Sequence, residues 1–349
     1  MIVSRTPFRI TLGGGGTDLP GFYQKHGGFV LAMGIDKYMY VVVNIPNADR
    51  LIRLHYTLSE SVEHVDQLRH ELAREALRKH GILDAVEVAS LADLPAGTGL
   101  GSSSCYLVGL LNAIRAYLLR PVTLQELAEE ACHIELEILK KPIGKQDQYM
   151  AVFGGLTELE ISRSGEVSVR PILLPAHSIS DLVANTHLYY TKRQRDSTEI
   201  LEEQTRALRE VSATAVEDNL LRIREIGYAI AEAIRSANFD RFGQLMHEHW
   251  IAKRGLSNKV SVAEVDGLYD HLREEYGVLG GKVAGAGGGG FLVLYCPAGH
   301  QRLMNFMEQQ GMSRLHYTVE FEGSRVITNV LKSHAVHYHP TSWQSGTCP

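Results

Sequence analysis

Residues 95–104 read Pro95-Ala-Gly-Thr-Gly-Leu-Gly-Ser-Ser-Ser104, and an apolar stretch at helical spacing follows from about Cys105 to Leu119. A loop of glycine and serine that opens straight onto a helix has what an anion requires. Glycines let the backbone come close, the first amides of the helix lack internal partners, and the helix dipole is positive at that end. Upstream, Val86–Leu91 reads as a strand, so the loop lies between a strand and a helix. In isolation such a loop would read as a serine-capped connector, and the strand-loop-helix setting argues against that. No lysine follows the glycines as GxxxxGK[ST] demands, so this is not a Walker A loop. The hydroxyls of Ser102, Ser103 and Ser104 are the side-chain groups available for phosphate or magnesium.

Toward the N-terminus, Ile2–Leu12 reads as a strand broken by Gly13–Gly16, with Thr17 and Asp18 next. That places Arg9, Thr17 and Asp18 near one strand end, although a Gly/Asp turn explains the glycines equally well. Phe29–Asn44 is rich in β-branched and aromatic residues and predicts one or two strands. Val65–His80 has helical spacing and stops at Gly81.

Toward the C-terminus, Thr123 and Glu126 form a capping box for a helix to about Lys140, ended by Pro142. Leu156–Ile161 and Val167–Leu174 read as a hairpin turning through Ser164 and Gly165. The pattern restarts with a strand at His187–Thr191, then amphipathic helices between about Ser197 and Tyr276. A strand at Phe291–Cys296, a helix, and strands near Leu315–Phe321 and Arg325–Leu331 complete the order. At 349 residues the chain exceeds the usual size of a single core. Two domains are expected, 1–180 and 181–340 around a cleft, with 341–349 as an unstructured tail.

Gly285-Ala-Gly-Gly-Gly-Gly290 formally satisfies GxGxxG, yet a strand follows it, whereas a dinucleotide loop enters a helix. A flexible loop is the plainer reading, yet five glycines in six positions favour a backbone that lines a ligand or active site.

Composition narrows the partners. The net charge is −5, with 35 basic and 40 acidic residues mixed along the chain, which favours a small-molecule partner over nucleic acid. Residues 1–12 lack the apolar core of a secretory signal, and Tyr38–Val43 is far too short to span a membrane. Cys105, Cys132, Cys296 and Cys348 are scattered, which suits reduced thiols in the cytoplasm. His247 and His249 flank Glu248 two residues apart and so do not share a metal on a helix. His334, His337 and His339 belong to a histidine-rich tail, and Trp250 and Trp343 show no stacking pattern for nucleic acid.

A magnesium-nucleotide enzyme needs one carboxylate for the metal and another to ready the acceptor hydroxyl. Glu135, late in a helix, and Asp147, twelve residues on in Gly-Lys-Gln-Asp-Gln-Tyr, are the candidates.

Taken in order, these segments resemble the superfamily of galactokinase, homoserine kinase, mevalonate kinase and phosphomevalonate kinase (GHMP kinases) over residues 1 to about 330. The galactokinase signature PGRxNLxGEHTD is similar to Pro7-Phe-Arg-Ile-Thr-Leu-Gly-Gly-Gly-Gly-Thr-Asp18, with Gly15 and Gly16 in place of Glu-His, a departure that bears against galactose itself. The central motif PxxxGLGSS is met by Pro95–Ser104, and the C-terminal signature by Lys282–Gly290.

The resemblance implies an α+β fold of two domains, the first ribosomal protein S5 domain 2-like, the second a ferredoxin-like sandwich, with the active site between them. It implies ATP and Mg2+ as cofactors. ATP would be bound by Pro95, Gly97, Gly99, Leu100, Gly101, Ser102, Ser103 and Ser104, and magnesium by Ser103 and Glu135. Asp147 would be the catalytic aspartate, with Arg9 neutralising developing charge. Thr17, Asp18, Gly287 and Gly288 would face the sugar.

Arg5–Asp18, Ile35-Asp-Lys-Tyr38 and Gly285–Phe291 most resemble the D-glycero-D-manno-heptose 7-phosphate kinases. That likeness implies phosphorylation of the anomeric hydroxyl, an alcohol acceptor, in GDP-heptose synthesis for bacterial capsule and lipopolysaccharide. Fucokinase-like and galactokinase-like sugar 1-kinases, and a silent nucleotide or sugar sensor, are the alternatives. A substrate phosphate would need a fixed cation, for which Lys192, Arg193 and Arg195 are candidates, with a solvated face as the plainer reading of that cluster. A homodimer is compatible with the family.

Overall fold

The computed structural model describes residues 1–46, 48–193, 203, 214–256, 260 and 263–330. Arg195, the helical expectation over residues 197–202 and 204–213, the tail histidines, Trp343 and Cys348 lie outside the described residues.

The first sheet is built from β1 (Ile2–Gly13), β2 (Gly28–Asn44), β3 (Ile52–His55), β4 (Ser59–Val62), β5 (Val86–Ala92), β6 (Leu156–Ile161), β7 (Val167–Pro171) and a strand from the far end of the chain. β2 is one continuous strand of 17 residues. Its first half pairs with β6, Gly28 opposite Ile161 to Met33 opposite Leu156. Its second half pairs with β5, Met39 opposite Ala92 to Asn44 opposite Glu87. β1 runs antiparallel along most of β2, Ile2 opposite Val43 to Gly13 opposite Leu31, with register shifts at Pro7/Phe8 and Thr11/Gly13. These irregularities bend the strands, as an extra residue in a ladder does. β6 and β7 form the expected hairpin.

The helices of this half are α1 (Pro20–His26), α2 (Glu71–Lys79), α3 (Ser102–Tyr117), α4 (Leu124–Cys132), α5 (Gln146–Phe153) and α6 (Ala176–Asn185). α3 lies on β1 and β2 and buries Leu107, Val108, Leu110, Leu111 and Ile114 completely. At roughly 1.5–3 kcal/mol for each fully buried large apolar side chain, this face anchors the helix behind the glycine-serine loop to the sheet. α3 starts at Ser102 rather than Cys105, so the three serines occupy its first turn, behind the N-cap Gly101. α4 carries the expected capping box: Thr123 Oγ1 accepts from Glu126 N at 3.2 Å, and Glu126 Oε2 accepts from Thr123 N at 2.9 Å.

Two expected helices divide. Val65–His80 splits into a 3-10 turn, Val65–Gln67, and α2, because Gln67 and His70 side chains satisfy the backbone amides at each new start. The helix expected to reach Lys140 ends at Cys132 and continues as a π-helical turn, His133–Ile138.

The second half contains β8 (Thr186–Tyr190), α7 (Thr214–Arg235), α8 (Phe239–Arg254), α9 (Ala263–Glu275), β9 (Gly280–Val283), β10 (Phe291–Tyr295), α10 (His300–Gln309) and β11 (Arg314–Leu315). The sheet order is β11-β8-β10-β9, every neighbouring pair antiparallel. Its core includes Trp250, Tyr269, Leu292 and Leu294. The expected strand Leu315–Phe321 shrinks to β11 and an isolated bridge from Val319 to Ile35.

β12 (Arg325–Asn329) leaves this half and pairs with β1, while α7 packs on β1 and β2. A linear division near 180 thus assigns to the second half a strand that the first sheet holds. Phe242, Leu245 and Met246 of α8 share one apolar core with Ile10, Leu12 and Val30, which brings the two halves together around a cleft.

Candidate active site

Asp147 sits in the first turn of α5. What fixes that turn is Asp18: its Oδ2 accepts from Gln146 N at 3.0 Å, and its Oδ1 accepts from Gly16 N at 3.1 Å. A carboxylate from another segment thereby caps a helix start and complements its dipole. Gly144 makes the approach possible, since a Cβ there would lie 2.0 Å from Asp18 Oδ2. Asp18 is buried, and desolvation pushes its carboxyl pKa upward, with Asp147 nearby adding to the rise.

Arg9, on β1, is 3% exposed. Its Nε and Nη2 donate to Asp147 Oδ1 at 2.7 and 2.5 Å, and its Nη1 donates to Gly99 O at 2.7 Å. One guanidinium therefore ties the aspartate to the glycine loop. Among the described residues no donor reaches Asp147 Oδ2, which lies beside Gly101.

Glu135 projects from the π-helical turn, is 1% exposed, and faces the first turn of α3. Its Oε2 accepts from Ser104 Oγ at 2.8 Å and Gln148 Nε2 at 2.6 Å, and its Oε1 accepts from Ser103 Oγ at 3.4 Å. Lys141 Nζ stands 3.9 Å from Oε1. Burial raises the pKa of this carboxyl. A π turn shifts the side-chain register of a helix, and such turns gather at functional sites.

A cleft of about 970 Å3 joins these groups. Of the residues expected at the site, Arg9, Asp18, Pro95, Gly97, Gly99, Gly101, Ser102, Ser103, Ser104, Glu135, Asp147 and Gly287 line it. Gly99 has φ +78°, and a Cβ on it would meet Ala284 O at 2.8 Å, so the first glycine loop packs directly on the last one.

Other expected residues lie elsewhere. Leu100 is wholly buried and gives its carbonyl to Arg9 N. Thr17 is also wholly buried: its hydroxyl bonds to Gly14 O at 2.8 Å and Phe29 O at 2.7 Å and accepts from Phe29 N at 3.0 Å. It latches the loop rather than facing the cleft. Gly288 is not a lining residue; its amide donates to Val260 O. Lys192 and Arg193 are exposed beyond β8, where Arg193 pairs with Glu264. Neither lines the cleft.

Five basic residues without an expected role line it: His70, Lys141 beside Glu135, His249 and Lys253 from α8, and Lys282 from β9. Lys253 Nζ donates to Val283 O at 3.2 Å and to Gly285 O, and Lys282 Nζ to Leu12 O at 3.0 Å. The signal available was the i, i+4 spacing of His249 and Lys253 on one helix face. Burial lowers the Lys253 pKa to about 7 and places those of Lys282 and His249 well below their ordinary values. The opposite end of the cleft is aromatic and apolar, with Tyr56 against His70 at 4.7 Å, His70 against Tyr106 at 4.8 Å, and Leu72 and Leu94.

A glycine-serine loop on a helix start, a carboxylate beside its serines and an Arg-held aspartate lining the same cleft have the geometry of a phosphoryl-transfer class of site. Residues 67–155 match the GHMP kinases N terminal domain and residues 230–311 match GHMP kinases C terminal. A D-glycero-alpha-D-manno-heptose 7-phosphate kinase of Campylobacter jejuni is 30% identical over 312 residues, covering 84% of this chain and 89% of the relative. A galactokinase of Thermotoga maritima is 26% identical over 318 residues, covering 83% and 88%. The crystal structure of a D-glycero-D-manno-heptose 1-phosphate kinase from Bacteroides thetaiotaomicron superposes with a TM-score of 0.76 at 22% identity, covering 94% of this chain and 99% of that one. This chain belongs to the GHMP kinase family, with the two-domain α+β fold of that family.

Among the described residues no helix is long and apolar enough to cross a membrane. No group of three or more His, Cys, Asp or Glu residues gathers there to hold a metal. Cys105, Cys132 and Cys296 are buried and unbridged.

Proposed function

We propose that this chain is a cytoplasmic sugar kinase that moves the γ-phosphoryl group of ATP onto the anomeric hydroxyl of a sugar, with D-glycero-D-manno-heptose 7-phosphate as acceptor. The observation that carries the reading is the Arg9 bridge, which holds Asp147 against the loop at Gly99. The named acceptor draws its support from the Campylobacter relative and from Gly15 and Gly16, which line the cleft without the side chains of the Glu-His pair in the galactokinase signature.

ATP would lie along the cleft with its base at the Tyr56 and His70 end. Its phosphates would then meet the amides of residues 97–104 at the positive end of α3. Mg2+ suits the remaining donors: Ser103 Oγ and Glu135 Oε1 are hard oxygens 3.4 Å apart, the rest of an octahedron coming from phosphates and water. Glu135 is buried with Lys141 only at the outer limit of an ion pair, 3.9 Å from Oε1, which leaves its charge incompletely balanced and is the structural reason to expect a cation there. When bound, the ion would neutralise charge on the phosphates.

The acceptor would lie between Asp18 and Asp147. As its oxygen bonds to the γ-phosphorus and the bond to the bridging oxygen breaks, Asp147 Oδ2 would take the hydroxyl proton. Arg9 would hold that carboxylate in place and balance the charge developing between donor and acceptor. The test is release of ADP from ATP and magnesium with heptose 7-phosphate, free heptose, fucose and galactose. ADP release with none of them would refute the kinase reading, and release with another sugar alone would replace the acceptor.

A further inference from the structure

We propose that Lys253 and Lys282, together with His249, form the subsite that grips an anionic group already present on the acceptor, and thereby select a sugar phosphate over the free sugar; this rests on the kinase reading above. The geometry begins on α8, where His249 and Lys253 share one face at i, i+4, and is completed by Lys282 from β9. All three are buried, at 1%, 7% and 2% exposure, and all line the cleft that holds Asp147.

Their partners are incomplete. An ammonium carries three donors; Lys253 directs two to the carbonyls of Val283 and Gly285, and Lys282 directs one to Leu12 O. Among the described residues neither lysine meets a carboxylate at ion-pair distance, since Asp147 is taken by Arg9. Both ring nitrogens of His249 are buried without a hydrogen-bond partner among the described residues. Buried cations and an orphaned imidazole are costly to keep unless something else satisfies them. A phosphoryl group, with three strong acceptor oxygens and up to two negative charges, matches this set of donors.

Lys282 is anchored on Leu12, just before the loop that carries Gly15, Gly16 and Asp18, whereas Ser103 and Glu135 stand on α3 and the π-helical turn. Lys253 reaches Gly285 O, which packs on Gly99, so the ATP affinity of the lysine variants is what separates acceptor duty from nucleotide duty. The depressed lysine pKa values agree with cations that lack a counter-ion. Lys192 and Arg193, which the sequence offers for this duty, are outside the cleft.

The experiment is calorimetric titration of the full chain, without nucleotide, with D-glycero-D-manno-heptose 7-phosphate and with unphosphorylated heptose. The wild type should bind the phosphate ester at least about tenfold more tightly than the free sugar. Lys253→Met and Lys282→Met should each remove most of that preference while leaving ATP affinity within about twofold. Methionine keeps the bulk of the lysine stem, and thermal unfolding reports whether the variants fold. A readout that needs no variant is proton uptake at pH 8, seen by repeating the wild-type titration in buffers of different ionisation enthalpy.

Equal affinity for the two sugars, binding of neither, a preference that survives both substitutions, or absence of proton uptake would overturn the assignment. Tight binding of the ester with no ADP release on adding ATP and magnesium would instead sink the kinase reading and leave this subsite in place.

Discussion

Asp147→Asn separates chemistry from architecture. Asparagine is isosteric, so its carbonyl oxygen can still accept from Arg9 Nε and Nη2, now 2.7 and 2.5 Å from Asp147 Oδ1. What disappears is the basic Oδ2. Loss of a positioned base costs about 10²–10⁴ in rate, or roughly 3–5 kcal/mol in the barrier. Melting temperature should barely move. Asp147→Ala should be equally inactive but less stable, because Arg9 is 3% exposed and would keep only Gly99 O. Breaking a fully buried pair costs about 3–5 kcal/mol; the 27% exposure of Asp147 brings the expectation to about 2 kcal/mol. A coupled ADP assay and thermal unfolding measure both quantities. An asparagine variant that retains more than about a tenth of wild-type kcat would show that Asp147 does not take the proton.

Glu135→Gln should abolish the gain in ATP affinity that magnesium confers, by about tenfold, while affinity in chelator stays the same. Because burial raises the Glu135 pKa, removing its charge should not lower the melting temperature of the nucleotide-free protein at pH 7. A variant that responds to magnesium like wild type would take Glu135 out of the metal site. Thr17→Val should cost about 1–3 kcal/mol of stability, since it removes the hydroxyl that serves Phe29 O and Phe29 N while Gly14 O keeps only the Thr17 amide, and should leave acceptor KM unchanged in whatever protein folds. A raised KM at unchanged stability would return Thr17 to the sugar site. The Lys253 pKa falls from 10.5 to about 7 on folding, so between those values the unfolded chain binds the extra proton and stability rises with pH. Thermal unfolding of the ligand-free protein should climb from pH 7 to about 9, and Lys253→Met should flatten the climb. An equal slope in the variant would mean that the ammonium is not desolvated as the structure shows.

The parts of this site that could be read from the sequence are those where local chemistry decides the outcome. The 95–104 loop announces itself because glycines, serines and an apolar helix are consecutive, and Glu135 and Asp147 are acids flanking a proline break. The capping box at Thr123 and Glu126 is equally local. Lys253 and Lys282 could not be found that way. They are 29 positions apart, and what points to them is burial with no carboxylate at ion-pair distance among the described residues, a property of the packing of α8 against β9. Lys192 and Arg193 attracted the phosphate-clamp reading by adjacency alone, and the fold leaves them at the surface. The π-helical turn that aims Glu135 has no periodic signature, and β12 returns to β1 across more than 300 residues of chain.

Thr17 shows how a motif residue can shape a site without lining it. Thr17 spends its hydroxyl on the loop, and that loop sets Asp18 where it caps α5 and so orients Asp147. Asp18 still lines the cleft, with acceptor capacity beyond the two amides it receives. Burial presses the groups of the ligand-free cleft toward neutrality, raising Asp18 and Glu135 and lowering Lys253 and Lys282. A cation beside Glu135 and an anion beside the lysines would each reverse that pressure, so ligand binding here is coupled to proton exchange in opposite senses at the two ends. Magnesium nucleotide should release protons near the pKa of Glu135, and an anionic acceptor should draw them in near pH 7 to 9. The two ligands are thereby distinguishable by the sign of the proton flux alone.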